Sequence, residues 1–147
     1  MTHFNFYHPI SIRYMDLDPQ WHVNNAKFLS FLETARMEYL LKLGLWDGKD
    51  FFQLGLIFAS VHLDYLAQIK LGQNVRVGVR VTRMGRKSLD MEYEIQDVDT
   101  LQVLARGTTP MVSYDYVASS SRPIPDNWRK TIASFEGIPE FSEKQGN

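Results

Sequence analysis

The apolar residues of this 147-residue chain change period once, and that change limits the fold more than any other feature. From residue 56 to 116 they alternate with polar residues. Ile57, Ala59, Val61, Leu63, Tyr65, Ala67 and Ile69 form one series; Val75, Val77, Val79 and Val81 a second; Leu89, Met91, Tyr93 and Ile95 a third. A period of two puts every second side chain on one sheet face, so the spacing predicts long antiparallel strands. Turns fall at residues 71–74, 84–87 and 97–100, and the last strand runs from 101 to 116 with Pro110 inside it, which calls for a bulge or an edge position.

Ahead of that switch stands a single long helical pattern. Asn24 or Asn25 begins it, because an Asn side-chain oxygen can accept a first-turn N–H, and Val23 with Phe28 has the spacing of a hydrophobic staple. Gly44 ends it. On a helical wheel Lys27, Ser30, Thr34, Glu38 and Lys42 form one narrow polar stripe, and apolar residues cover most of the rest, which predicts a helix wrapped by protein on most sides. Glu33 and Arg36 fall on the apolar part, and their i,i+3 spacing predicts a mutual pair. A strand over 10–15 precedes the helix and a short helix over 128–135 closes the chain. The expected class is α+β: a curled antiparallel sheet around one long central helix, in a single domain spanning 1–147 with its core over about 8–135. Open sheet edges need cover, which favours a homodimer or homotetramer.

Composition narrows the chemistry. With no cysteine there is no thiolate nucleophile, disulfide framework or Cys-ligated metal, and the histidines at 3, 8, 22 and 62 lack metal-ligand spacing. Catalysis has to use carboxylates, hydroxyls, histidines and backbone dipoles, with no cofactor expected. The first residues lack a basic start, an apolar run and a cleavage site, and no stretch is long and apolar enough to span a bilayer, so the expectation is a cytoplasmic protein with no membrane partner. A net charge of −1, from 16 basic and 17 acidic residues, makes no case for nucleic acid. That sum conceals an asymmetry. Between Asp64 and Asp90 there are no acids, whereas Lys70, Arg76, Arg80, Arg83, Arg86 and Lys87 all lie there, a local +6.

The order strand, helix, four strands, together with the string Ile12-Arg13-Tyr14-Met15-Asp16-Leu17-Asp18-Pro19-Gln20-Trp21-His22-Val23-Asn24-Asn25, resembles the hotdog-fold acyl-CoA thioesterases of the 4-hydroxybenzoyl-CoA thioesterase type. Asp64-Tyr65 and the basic turn 83–88 add to the resemblance. It implies that Asp18 is the catalytic carboxylate, that the long helix lies inside the curved sheet, and that active sites form at a dimer interface. One departure is the run Gln20-Trp21-His22, where benzoyl-type members often carry a small residue, so an aromatic acyl group is not carried over.

Thioester hydrolysis needs a carboxylate to attack the carbonyl carbon or to activate a water, and donors for the charge developing on oxygen. Asp18 precedes the helix start by a few residues, and helix N-termini offer free N–H groups and a positive dipole end. The family match makes the Asn25 backbone N–H the leading oxyanion donor. His22 is a candidate to orient a water or to donate to the thioester. The competing readings are that Asp18 forms a turn before Pro19, that Asp16 is a turn or capping residue or a paired carboxylate, and that Glu33 is a reserve base. Phe28, Phe31, Phe58 and Tyr65 either line an acyl tunnel or fill the core. Arg83, Arg86, Lys87 and Ser88 suit the phosphates of coenzyme A. The expected function is hydrolysis of acyl-CoA; a non-catalytic acyl-CoA sensor and an enoyl-thioester hydratase are the alternatives.

Overall fold

The computed structural model describes residues 3–143; Met1 and Thr2, on which the expectation about targeting partly fell, lie outside the described residues. In chain order the elements are β1 (Tyr7–Ile10), a 3-10 turn (Tyr14–Asp16), α1 (Asn25–Lys42), α2 (Phe51–Leu54), β2 (Leu56–Phe58), β3 (His62–Tyr65), β4 (Val75–Met84), β5 (Ser88–Asp97), β6 (Val103–Asp115), β7 (Ser120–Ser121) and α3 (Asp126–Glu136). All strand pairings are antiparallel, in the order β1-β4-β5-β6, with β2 and β3 end to end along the far side of β6. The hotdog expected from the sequence is the fold that forms.

The valines of β4 and the apolar positions of β5 are buried under α1, whose inner face is Phe28, Phe31, Leu32, Ala35, Arg36, Tyr39 and Leu40. Burying each large apolar side chain contributes ~1.5–3 kcal/mol, so this interface dominates folding. Tyr39 Oη donates to Glu136 Oε2 at 2.6 Å, and the Val81 N–H reaches the same carboxylate at 2.9 Å, which ties α3 to both layers.

The structure corrects several expectations. The strand over 10–15 ends at Ile10, because Asp16 accepts the Arg13 backbone N–H at 2.8 Å and its guanidinium at 2.9 Å; this local bonding folds 14–16 into a turn instead of a ladder. The single strand expected over 56–69 is two short ones. Pro110 lies inside β6, a strand paired on both sides, and the bulge expected there forms in the facing segment, where residues 59–61 stand opposite 109–110 and the register shifts by one. The Pro110 carbonyl accepts the Ala59 N–H at 2.9 Å, so its missing N–H falls on that same side, where β2 stops. The pair Glu33–Arg36 does not form. Glu33 is exposed, while buried Arg36 donates to Tyr93 Oη at 3.2 Å and lies over the Phe58 ring at 4.5 Å. Nor is α1 wrapped on most sides: outside its polar stripe, Leu29, Glu33 and Leu41 are also exposed.

Candidate active site

The loop into α1 is held from two directions. Buried Asp16 accepts Asn24 N–H on its carbonyl at 2.8 Å, and Val23 N–H bonds Ile69 O at 2.8 Å. Burial alone pushes the Asp16 carboxyl upward, but the combined hydrogen bonds and charge of Arg13 win and hold it below the usual carboxylate range. Asp16 is thus the fixing residue of the loop, one of the roles weighed for it. Between these anchors the chain reverses: Asp18 N–H bonds His22 O at 2.9 Å, Trp21 N–H bonds Asp18 O at 3.0 Å, and Asp18 Oδ1 accepts Gln20 N–H at 2.9 Å. Trp21 adopts φ 65°, the left-handed region that a bulky residue rarely occupies, and its ring is exposed. Asp18 therefore forms the turn, and among the described residues its second carboxylate oxygen has no hydrogen-bond partner.

Asn24 caps α1. Its Oδ1 takes the Ala26 N–H at 2.9 Å and its carbonyl the Lys27 N–H at 2.9 Å. Among the described residues the Asn25 N–H has no acceptor, so it is the open donor at the positive end of the helix. Tyr65, on β3, donates its hydroxyl to Asn25 O at 3.0 Å and sets its ring edge-on to Phe28 at 5.0 Å. These residues enclose an open cleft of about 450 Å³ lined by Asp18, Gln20, His22, Val23, Asn24, Asn25, Phe28 and 65–68. The cleft gathers Asp18, His22, Asn25 and Tyr65, all singled out in the sequence. Gln20 and the segment 66–68 were missed; their only sequence signal was their place beside His22 and in an alternating run.

The basic turn is elsewhere. Ala105, paired with Tyr65, and Val112, paired with Ser88, are separated by seven residues of β6, roughly 23 Å at the usual strand rise. The local +6 falls to +4 in space, because two of its cations meet acids across the sheet. Arg80 meets Glu92 at 2.9 Å, Arg83 meets Asp90 at 2.9 Å, and Arg76 lies on the Tyr7 ring and bonds Gln96. Arg83 is further committed to Ser142 O at 2.8 Å and Ser88 Oγ at 3.5 Å, so the turn offers Arg86 and Lys87 as its exposed cations. Of the turn residues expected to meet phosphates, Arg83 thus has a counter-charge from β5, whereas Arg86 and Lys87 have none among the described residues.

Residues 12–132 match the family model of the thioesterase-like superfamily, a span that takes in the loop, α1 and every strand from β2 to β7. The chain belongs to that superfamily. Among solved structures, this thioesterase-like chain is similar to a thioesterase of Thermus thermophilus complexed with coenzyme A and zinc, at 34% identity and TM-score 0.81, covering 95% of this chain and all of that one. Among curated relatives it is 29% identical to the uncharacterized protein YsmA of Bacillus subtilis, over 63% of this chain and 61% of that one. It is 27% identical to a 1,4-dihydroxy-2-naphthoyl-CoA hydrolase of Synechocystis, over 58% of this chain and 60% of that one. The matches thus span about three fifths of those curated relatives' length. Among the described residues no helix is long and apolar enough to cross a membrane, and no three His, Asp or Glu side chains gather as a metal-holding group.

Proposed function

We propose that this protein is an acyl-coenzyme A thioesterase, of the 4-hydroxybenzoyl-CoA thioesterase type within its superfamily. One observation carries the reading: Asp18, one of whose carboxylate oxygens has no hydrogen bond among the described residues, and Asn25, with an open N–H at the helix start, line the same cleft. The Asp18 carboxylate attacks the thioester carbonyl carbon, or takes a proton from a water that does. The carbonyl electron pair moves onto oxygen, where the Asn25 N–H and the helix dipole receive the charge. Collapse of this adduct breaks the C–S bond and expels the coenzyme as thiolate, a good leaving group that needs no strong acid. In the first route water then hydrolyses the Asp18 anhydride. His22 orients that water, and the Tyr65 ring forms a wall beside the thioester.

The second part of the reading is a homodimer, or a pair of dimers, acting in the cytoplasm as a one-domain enzyme without a cofactor. The free edge formed by β2 and β3 exposes Phe58, Val61, Tyr65 and Leu66. A two-fold axis beside that edge inverts strand direction, so the end bearing Arg86, Lys87 and Ser88 in one copy falls beside the cleft of the other. There it takes the phosphates of coenzyme A. Release of free thiol from a panel of acyl-CoAs of varied chain length and aromaticity tests the reading, with Asp18→Asn as control. Wild-type turnover that falls by a factor on the order of 10² to 10⁴ in the variant is the expected result. Tight binding of every acyl-CoA without thiol release would instead mark a sensor.

A further inference from the structure

A cluster of aromatic rings occupies the sheet end opposite the cleft, and nothing in the mechanism uses it. Phe52 and Tyr116 meet edge-to-face at 5.5 Å, and Tyr114 meets Tyr116 at 5.0 Å. These rings are not core: Phe52 is 70% exposed and Tyr116 39%. Cations border them. The Arg122 guanidinium lies so close over Gly55 that a Cβ there would come within 2.5 Å of Nη2, and the Gly55 carbonyl in turn holds the Tyr114 N–H at 2.8 Å. Among the described residues Arg122 Nε is buried without a partner. Lys87 Nζ reaches Ser121 Oγ at 3.5 Å, beside Tyr114 in the β6–β7 ladder, and exposed Arg86 is next to it. Two carboxylates are also near, each fixed in a turn through Oδ1: Asp50 accepts the Phe52 N–H and Asp115 those of Val117 and Ala118, so the three cations Arg86, Lys87 and Arg122 outnumber them.

Exposed rings bordered by cations fit an anion that carries a flat π-face, since stacking and cation contacts add on the same ligand. The cluster is also on the side of the basic turn nearer the free edge, because its tyrosines end β6 whereas the turn joins β4 to β5. We infer that Phe52, Tyr114 and Tyr116 form the platform for the adenine of coenzyme A, with Arg122 and Lys87 on its phosphates. This rests on the thioesterase reading and deepens it. The platform makes the protein selective for coenzyme A thioesters over acyl groups on a carrier protein, whose phosphopantetheine arm bears no base.

The test compares acyl-CoA with the same acyl group on pantetheine, in wild type and in the double variant Phe52→Ser/Tyr116→Ser. The wild type is expected to prefer acyl-CoA in kcat/KM, and the ratio between the two substrates to fall about tenfold in the variant, through KM. An unchanged ratio, or a wild type indifferent to the nucleotide, overturns the platform and leaves the thioesterase reading intact. Calorimetric titration with adenosine 3′,5′-bisphosphate gives a readout independent of turnover. Binding by wild type that weakens about tenfold in the variant supports the platform even if no thioester is hydrolysed, and absence of binding by wild type rejects it.

Discussion

The loop into α1 and the basic segment from Lys70 to Lys87 look equally pointed in the linear sequence, yet folding treats them oppositely. The loop keeps its meaning. Asp16, Asp18, His22, Asn24 and Asn25 are close in the chain, and their bonds to one another span at most eight residues, so the turns among them form locally, while Ile69 and Lys70 only dock the finished loop on the sheet. The basic segment loses part of its meaning. Arg80 and Arg83 find Glu92 and Asp90 across a strand pair that forms only when β4 folds back on β5. A charge excess counted along a chain is therefore a statement about function only after cross-strand partners are subtracted.

The largest expected effect separates two neighbouring carboxylates. Asp18→Asn lowers turnover by a factor on the order of 10² to 10⁴ while moving stability by less than ~0.5 kcal/mol, since its side chain holds one exposed turn bond. Asp16→Ala does the reverse. It strands the bonds of a fully buried carboxylate and costs about 1–3 kcal/mol in urea unfolding. Equal stability losses in the two variants would erase the distinction between a reactive and a fixing aspartate.

The same loop has a pH signature. Because the Asp16 carboxyl is held below its unfolded value of ~3.9, its contribution to stability is complete above that pH and is lost as pH falls through the lower native value. Urea midpoints of wild type and Asp16→Asn should differ at pH 6 and converge toward pH 3. A constant gap would mean that Arg13 does not bias the ionised form.

The smallest effects lie in the basic turn. Arg86→Gln and Lys87→Gln should each raise KM for acyl-CoA about two- to fivefold and weaken its salt dependence, since exposed charge pairs are worth under ~1 kcal/mol. Arg83→Gln should instead loosen the contact between β4, β5 and the segment at Ser142, visible as a lower thermal midpoint. A KM effect at Arg83 larger than at Arg86 and Lys87 would restore the reading taken from the linear charge count.

Much of the fold and the cleft was legible because periodicity and capping are short-range. The helix start at Asn24, its end before Gly44, the three turns between long strands and the outline of α3 all follow from residues within one or two turns of each other. What escaped involved distant partners. Arg36 ignored Glu33 three residues away for Tyr93 and Phe58. The break between β2 and β3 lies opposite Pro110, whose own position announced an irregularity, but nothing in residues 56–69 says that they are the segment it faces.

By itself the sequence determined the α+β class, the helix with its open first N–H and the Asp18 turn that precedes it, since each depends on hydrogen bonds that a short segment makes with itself. Only the tertiary structure decided which cations remain free, that Tyr65 closes the cleft against Asn25, and that the basic turn and its aromatic neighbours occupy the far end of the sheet. Those facts depend on which strand lies beside which and in what register. A one-residue slip there would exchange the two faces, so register is fixed by the packed core as a whole rather than by any local run of residues.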